Sequence, residues 1–110
     1  MAGTFELKKA SNGQFHFNLK ASNGEIILTS EMYEAKASAE SGIASVRTNS
    51  PNADRYNKAE SSNGKFHFTL KAGNNQVIGN SQMYASAASR DAGIESVRSN
   101  GASAKLSDLT

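Results

Sequence analysis

The chain has no cysteine, no tryptophan and a single proline, Pro51. Without cysteine there are no disulfides, no thiolate nucleophile and no Cys-containing zinc or iron–sulfur site. No stretch approaches the roughly 20 apolar residues that span a bilayer, and Met1 to Lys9 lacks the apolar segment of a secretory signal. The expectation is a soluble cytoplasmic protein with no membrane partner. Aromatic residues are only 7% of the chain, so a core built from 110 residues must rely on small side chains packed closely.

Charge of one sign is also scarce. The net charge is +2, with five basic and five acidic residues in 1–51 and seven and five in 52–110. Nucleic-acid binders concentrate basic residues on one face, and an excess this small makes such a role a rival reading only. The catalytic and phosphate-binding motifs are missing too: no GxGxxG, no GxxxxGK[ST], no HExxH and no GxSxG. No acid–base pair persists, because Glu25 and Glu31 become Gln76 and Gln82 in a second copy of the motif.

That second copy is the main positive feature. Shifting the chain by 51 residues aligns 11–50 with 62–101 without a gap, and 22 of the 40 positions are identical. Two copies, repeat one over 1–51 and repeat two over 52–110, predict one pseudo-twofold domain over 1–110 rather than a solenoid. Within "SNGQFHFNLKASNG", Phe15, Phe17 and Leu19 alternate with His16, Asn18 and Lys20, the period of a half-buried strand. Asn-Gly pairs on both sides predict two-residue type I′ hairpin turns, and Phe5/Leu7 before and Ile26–Leu28 after complete a three-stranded meander.

The second copy repeats the pattern with Tyr56 for Phe5, Lys58 for Leu7, Gly79 for Leu28 and Asn74-Asn75 for Asn-Gly. These changes predict weaker packing at one rim. After each meander the apolar spacing becomes helical, with Ala39, Ile43 and Val46 in one copy and Ile94 and Val97 in the other. Ser86 is a candidate N-cap, which Ala35 cannot be. Gly42 and Gly93 inside the helices predict a close backbone approach to the sheet, and Asn49 and Asn100 predict left-handed C-caps.

The paired strings "GQFHFNLKASNGEIILTSEMY…SGIASVRTN" and "GKFHFTLKAGNNQVIGNSQMY…AGIESVRSN" resemble the YegP-like family, small bacterial proteins of unknown function. The resemblance covers about Phe5 to Leu106. It implies β-β-β-α-β units forming one continuous sheet by exchange of the last strand, with Ala53–Asn57 and Ala104–Asp108 as the exchanged segments. It supplies no catalytic or binding residues. The fold expectation is therefore α+β: tandem repeats forming one antiparallel sheet with two helices on one face, in a monomer that acts as its own pseudo-dimer.

Three groups of side chains are candidates for function. His16 and His67, the only histidines, are identically placed, but two imidazoles fall short of the three or four ligands zinc takes. With Lys20 and Lys71 they belong to a polar sheet face suited to anions or single-stranded nucleic acid, without the aromatic platform on which bases stack. Arg47 and Arg98 recur near the helix C-termini, where a cation offsets the helix dipole by about 0.3–1 kcal/mol and could also meet an anion. Tyr33 and Tyr84 are expected to clamp the start of each helix as a hydrophobic staple. The reading is a non-enzymatic binding or interaction module with no catalytic residue, no cofactor and no metal.

Overall fold

A computed structural model describes residues 3–110. The first copy contributes strands β1 (Thr4–Lys9), β2 (Phe15–Lys20) and β3 (Ile26–Ser30), then helix α1 (Lys36–Asn49). A short 3-10 turn, Ala53–Arg55, leads into β4 (Tyr56–Glu60), β5 (Phe66–Lys71), β6 (Val77–Asn80), helix α2 (Ala87–Asn100) and β7 (Lys105–Asp108). The strands form one sheet in the order β4-β5-β6-β3-β2-β1-β7. Every neighbouring pair is antiparallel except β1 and β7, which run parallel.

The alternation read in the sequence sets the two faces. Phe5, Leu7, Phe17, Leu19, Phe68 and Leu70 are fully buried and join Ala39, Ile43 and Val46 of α1 and Ile94 and Val97 of α2 in one hydrophobic cluster. Both helices thus pack on the face that carries Phe17 and Phe68. The outer aromatics Phe15 and Phe66 are half-buried, with Lys9 over the first ring and Arg90 over the second. In both copies the register against the third strand shifts at the end of the second, at Leu19/Lys20 of β2 and at Leu70/Lys71 of β5. Such a bulge turns two successive residues to one side, and this is why Ile27–Leu28 and Ile78–Gly79 are all buried.

Four hairpin loops share one geometry, and it is not the expected type I′ turn. The amide of Gly13 donates to the Ala10 carbonyl and that of Ala10 to the Gln14 carbonyl, and the same pair of bonds recurs at Ala21, Ser61 and Ala72. Positive φ occurs only at the third loop residue, Gly13, Gly24, Gly64 or Asn75. These are three-residue loops ending in a left-handed residue. The preceding asparagine accepts the amide two residues on, as Asn12 does from Gln14 at 3.0 Å, which fixes the loop without a left-handed asparagine of its own.

Helix starts follow the sequence. Ser86 accepts the Ser89 amide, whereas Ala35 makes no side-chain cap. The helix ends do not. Asn49 and Asn100 remain helical, and each side-chain amide donates to the carbonyl four residues back, Ser45 and Ser96. The caps are Ser50 and Gly101, both right-handed. The Ser50 and Gly101 amides donate to the Val46 and Val97 carbonyls, so the last turn continues right-handed and no left-handed residue occurs there.

Strand exchange runs one way. β7, from the second copy, lies on β1 of the first. The matching residues after α1 form the 3-10 turn and then β4 itself, not an exchanged strand. The chain between α1 and β4 has only enough residues to connect them. Consequently β1 is covered on its outer side, while β4 pairs with β5 alone among the described residues.

Candidate binding surfaces

The face opposite the helices carries one polar row across all seven strands. Register places Asn57, Thr69, Asn80, Thr29, Asn18, Glu6 and Ser107 side by side. The row is not simply open to solvent: Asn18 is buried, and His16 Nδ1 and Thr69 Oγ1 are enclosed without a hydrogen-bond partner. Its positive charge is partly spent internally. Glu6 lies 3.1 Å from Lys20 Nζ and 3.5 Å from Lys8 Nζ, and the bond from Lys20 holds its carboxyl below the ordinary glutamate range.

The two histidines do not meet. His16 and His67 flank the row on strands separated by β3 and β6, which is about 14 Å sideways. Because β2 and β5 run in opposite directions, the two residues also lie on opposite sides of the row, four residues apart along the strands or about 13 Å. Among the described residues no group of three His, Asp or Glu side chains is placed to hold a metal ion. Lys71 stands across from Val77 on the same face, beyond His67 and Thr69.

Arg47 and Arg98 belong to the other side of the sheet. Arg47 lies over the Phe5 ring, 5.0 Å from its centre, and reaches the Ala102 carbonyl after α2. Arg98 reaches the Pro51 carbonyl after α1 and pairs with Glu95 at 2.5 Å. Each arginine therefore spans from its own helix to the loop that follows the other. Lys20, His16, His67 and Lys71 share a face with one another but not with these arginines.

The recurring serines and tyrosines have local partners. Ser30 Oγ accepts the Phe17 amide and donates to the Glu31 carbonyl, and Ser81 repeats this with Phe68 and Gln82. Tyr33 stacks on Phe17 and Tyr84 on Phe68. Their hydroxyls lie against Gly42 and Gly93 well inside the helices, so the contact is deeper than a staple at the helix start. The glycines make room for a phenol rather than for sheet backbone.

A surface that the sequence did not point to lies at the free edge of β4. A cleft of about 240 Å³ is lined by Ala53, Tyr56, Lys58, Asp91, Ile94, Glu95 and Arg98. Tyr56 is half-buried there; its hydroxyl donates to the Ser50 carbonyl at 2.7 Å, and burial raises its pKa so that it stays a neutral donor. Lys58 closes over the cleft to Asp91 at 3.2 Å, and that bond lowers the Asp91 pKa. In the first copy the same place holds Phe5 and Leu7, both fully buried beside β7. The signal that would have revealed the cleft was present: Tyr56 and Lys58 stand at core positions of the first copy, and the linker is too short to cover them.

Comparison with known proteins places this architecture. The family described as Domain of unknown function (DUF1508) matches the chain twice, over residues 10–57 and 61–108. The chain belongs to this family. Among its relatives, UPF0339 protein YegP of Escherichia coli strain K12 is 63% identical over the whole of both chains. UPF0339 protein ACIAD0721 of Acinetobacter baylyi is 59% identical, with 100% of this chain and 99% of that one covered. The solution NMR structure of E. coli yegP, described as a protein of unknown function, superposes with a TM-score of 0.95 at 63% identity over 100% of this chain and 95% of that one. That of UPF0339 protein SO3888 from Shewanella oneidensis gives 0.94 at 56% identity, covering 100% and 93%. Both of these solved relatives share the α+β fold of this chain, and the family's description assigns no function. No described helix is long and apolar enough to cross a membrane.

Proposed function

We propose that the chain is a non-enzymatic interaction module that binds extended polypeptide along the outer edge of β4. In this reading residues 1–110 work as one pseudo-twofold unit of two copies, 1–51 and 52–110, a cytoplasmic monomer that acts as its own pseudo-dimer. One observation carries it: β1 has a strand on its outer side, and β4, its counterpart 51 residues on, has none among the described residues and faces a cleft instead. An unpaired edge offers main-chain hydrogen bonds, and the adjoining cleft offers side-chain selectivity, the two elements of recognition by strand addition.

At the two ends of the β1–β7 pairing the carbonyls of Gly3 and Leu7 accept from Lys105 and Leu109. The same alternation turns the backbone N–H and C=O of Lys58 outward from β4. The Lys/His face is the weaker candidate, because Lys8 and Lys20 are already paired with Glu6.

Peptide display against the intact protein, followed by amide NMR, tests the proposal. Selected peptides are expected to perturb Tyr56–Glu60 and the Asp91–Arg98 face of α2. Lys58→Pro removes an outward amide at an edge where proline is tolerated, and binding should be lost while the remaining spectrum is kept. Perturbations confined to the His16/Lys20 face would sink the proposal.

A further inference from the structure

Resting on the reading of β4 as a receiving edge, we propose that its occupant is a segment of a partner protein, parallel to β4, with a small residue, an apolar residue and an acid at alternate positions. β7 supplies the template. It lies parallel on β1, with Leu106 opposite Phe5 and Asp108 opposite Leu7, and Ala104 just before it is buried in the core. Lys36 of α1 holds Asp108 at 2.5 Å, so Asp108 points to the helix side of the sheet, as Leu7 does.

Carrying this arrangement across by 51 residues defines what β4 would meet. Tyr56 stands for Phe5, and Lys58 for Leu7. Lys58 faces the helix side, since it pairs across β5 with buried Phe68 and bonds Asp91 of α2. An acid at the position of Asp108 would therefore lie beside the Lys58 ammonium. The cation that holds Asp108 in the first copy, Lys36, has become Ala87 in the second. The two halves thus provide one cation each for the same acid, on the helix in one case and on the strand in the other. Asp91 is the partner that Lys58 keeps while the edge is empty.

Lysine on an edge strand also discourages indiscriminate pairing. An apolar strand arriving at β4 would have to bury the Lys58–Asp91 pair, whereas an acidic one replaces Asp91 and keeps the lysine paired. The guard and the selectivity are the same residue.

A second copy of the chain is the obvious rival occupant, since its own residues 104–108 carry the pattern. Each copy has one such strand and two strands, β1 and β4, that could receive it. Moving it from β1 to a neighbour's β4 exchanges one pairing for an equivalent one and leaves β1 bare, so nothing is gained. A segment from another protein adds a pairing without removing one.

The test uses the full-length protein and a synthetic peptide with the sequence of residues 104–109, followed by amide NMR. Saturable perturbation of Tyr56–Glu60 and of α2 near Asp91 is expected, and a spin label on the peptide N-terminus should broaden Arg55 before Glu60. Lys58→Glu should weaken this peptide about fivefold, the scale of a partly exposed ion pair. A peptide with lysine for its aspartate should recover that loss on the variant. A peptide N-methylated at the paired backbone positions should not bind, which checks edge pairing without altering the protein.

Perturbation of β1 and α1 would mean displacement of β7 and overturn the proposal, as would reversed broadening or indifference to the charge exchange. Concentration-dependent dimers seen by sedimentation, with β4 protected from exchange, would assign the edge to a second copy. If this peptide fails while display-selected peptides bind β4, the pattern is wrong and the receiving edge stands. If neither binds, both fail.

Discussion

Leu28 and Gly79 occupy equivalent positions of the two copies and touch each other where β3 meets β6. A Cβ on Gly79 would stand 2.8 Å from Leu28 Cγ and 3.0 Å from its Cδ2. Leu28 is fully buried and Gly79 is buried beside it. The loss of a leucine in the second copy is thus not the weak rim suggested by the sequence. The site lies at the centre of the sheet, on the pseudo-twofold, where two identical leucines would compete for one space.

Exchanging the pair tests this. Leu28→Gly leaves a cavity and should cost at least about 2–5 kcal/mol, and Gly79→Leu overpacks the junction by about 1–3 kcal/mol or more. The double variant restores one leucine against one glycine from the opposite side. Urea denaturation should place it nearer the parent than the sum of the singles by about 2 kcal/mol. Simple additivity would mean that the two positions do not share a space.

A second equivalent pair behaves the same way. Gly101 caps α2 in a right-handed conformation, φ −62° and ψ −41°, where alanine ordinarily stabilises by about 0.4–1 kcal/mol. Here a Cβ would lie 2.7 Å from that of Ser50, its counterpart at the end of α1. Gly101→Ala should therefore lower the melting temperature, and adding Ser50→Gly should return much of the loss. A stabilising Gly101→Ala would show that the helix ends are not in contact.

The phenol–glycine contacts give a third test. A Cβ on Gly42 would stand 2.6 Å from the Tyr33 hydroxyl oxygen and 3.0 Å from the Phe17 ring. Gly42→Ala should destabilise by about 1–3 kcal/mol despite the higher helix propensity of alanine. Tyr33→Phe removes the nearest obstructing atom, so the double variant should be more stable than Gly42→Ala alone. Thermal unfolding of the three variants decides it, and equal stability of the single and double variants would place the clash on Phe17.

These contacts explain what could be read beforehand. Strand alternation at Phe15–Leu19, the helical spacing of Ile43 and Val46 and the Ser86 cap depend on residues close in sequence, and the structure repeats them. Features set by the meeting of the two copies were not legible. Gly79, Gly101 and the reach of Arg47 to Ala102 depend on residues about 50 positions away, which local pattern does not encode. The β4 cleft was half-visible in Lys58 and Tyr56, but it needed the knowledge that exchange runs only one way. Asn49 and Asn100 misled because the chain continues right-handed past them, with the Ser50 and Gly101 amides on the Val46 and Val97 carbonyls and the asparagine side chains turned back to Ser45 and Ser96.

The attachment of β7 should depend on acid. The bond from Lys36, with two further bonds from the Thr110 hydroxyl and amide, holds the Asp108 pKa down to about 2 from an ordinary 3.8. A carboxylate whose pKa falls on folding contributes stability that is fully present above its unfolded value and is lost as pH drops through the folded one. The contribution is therefore intact at neutral pH and disappears between about pH 4 and pH 2. Carboxyl-carbon NMR should give the Asp108 midpoint near 2, and exchange of the Lys105 and Leu109 amides, which bond Gly3 and Leu7, should quicken over the same interval. Lys36→Met should move the midpoint most of the way back towards 3.8, with the Thr110 bonds retaining the remainder. A midpoint of 3.8 in the parent would mean that the Lys36 bond is not held in solution, and that β7 is fastened by its main chain and Ala104 alone.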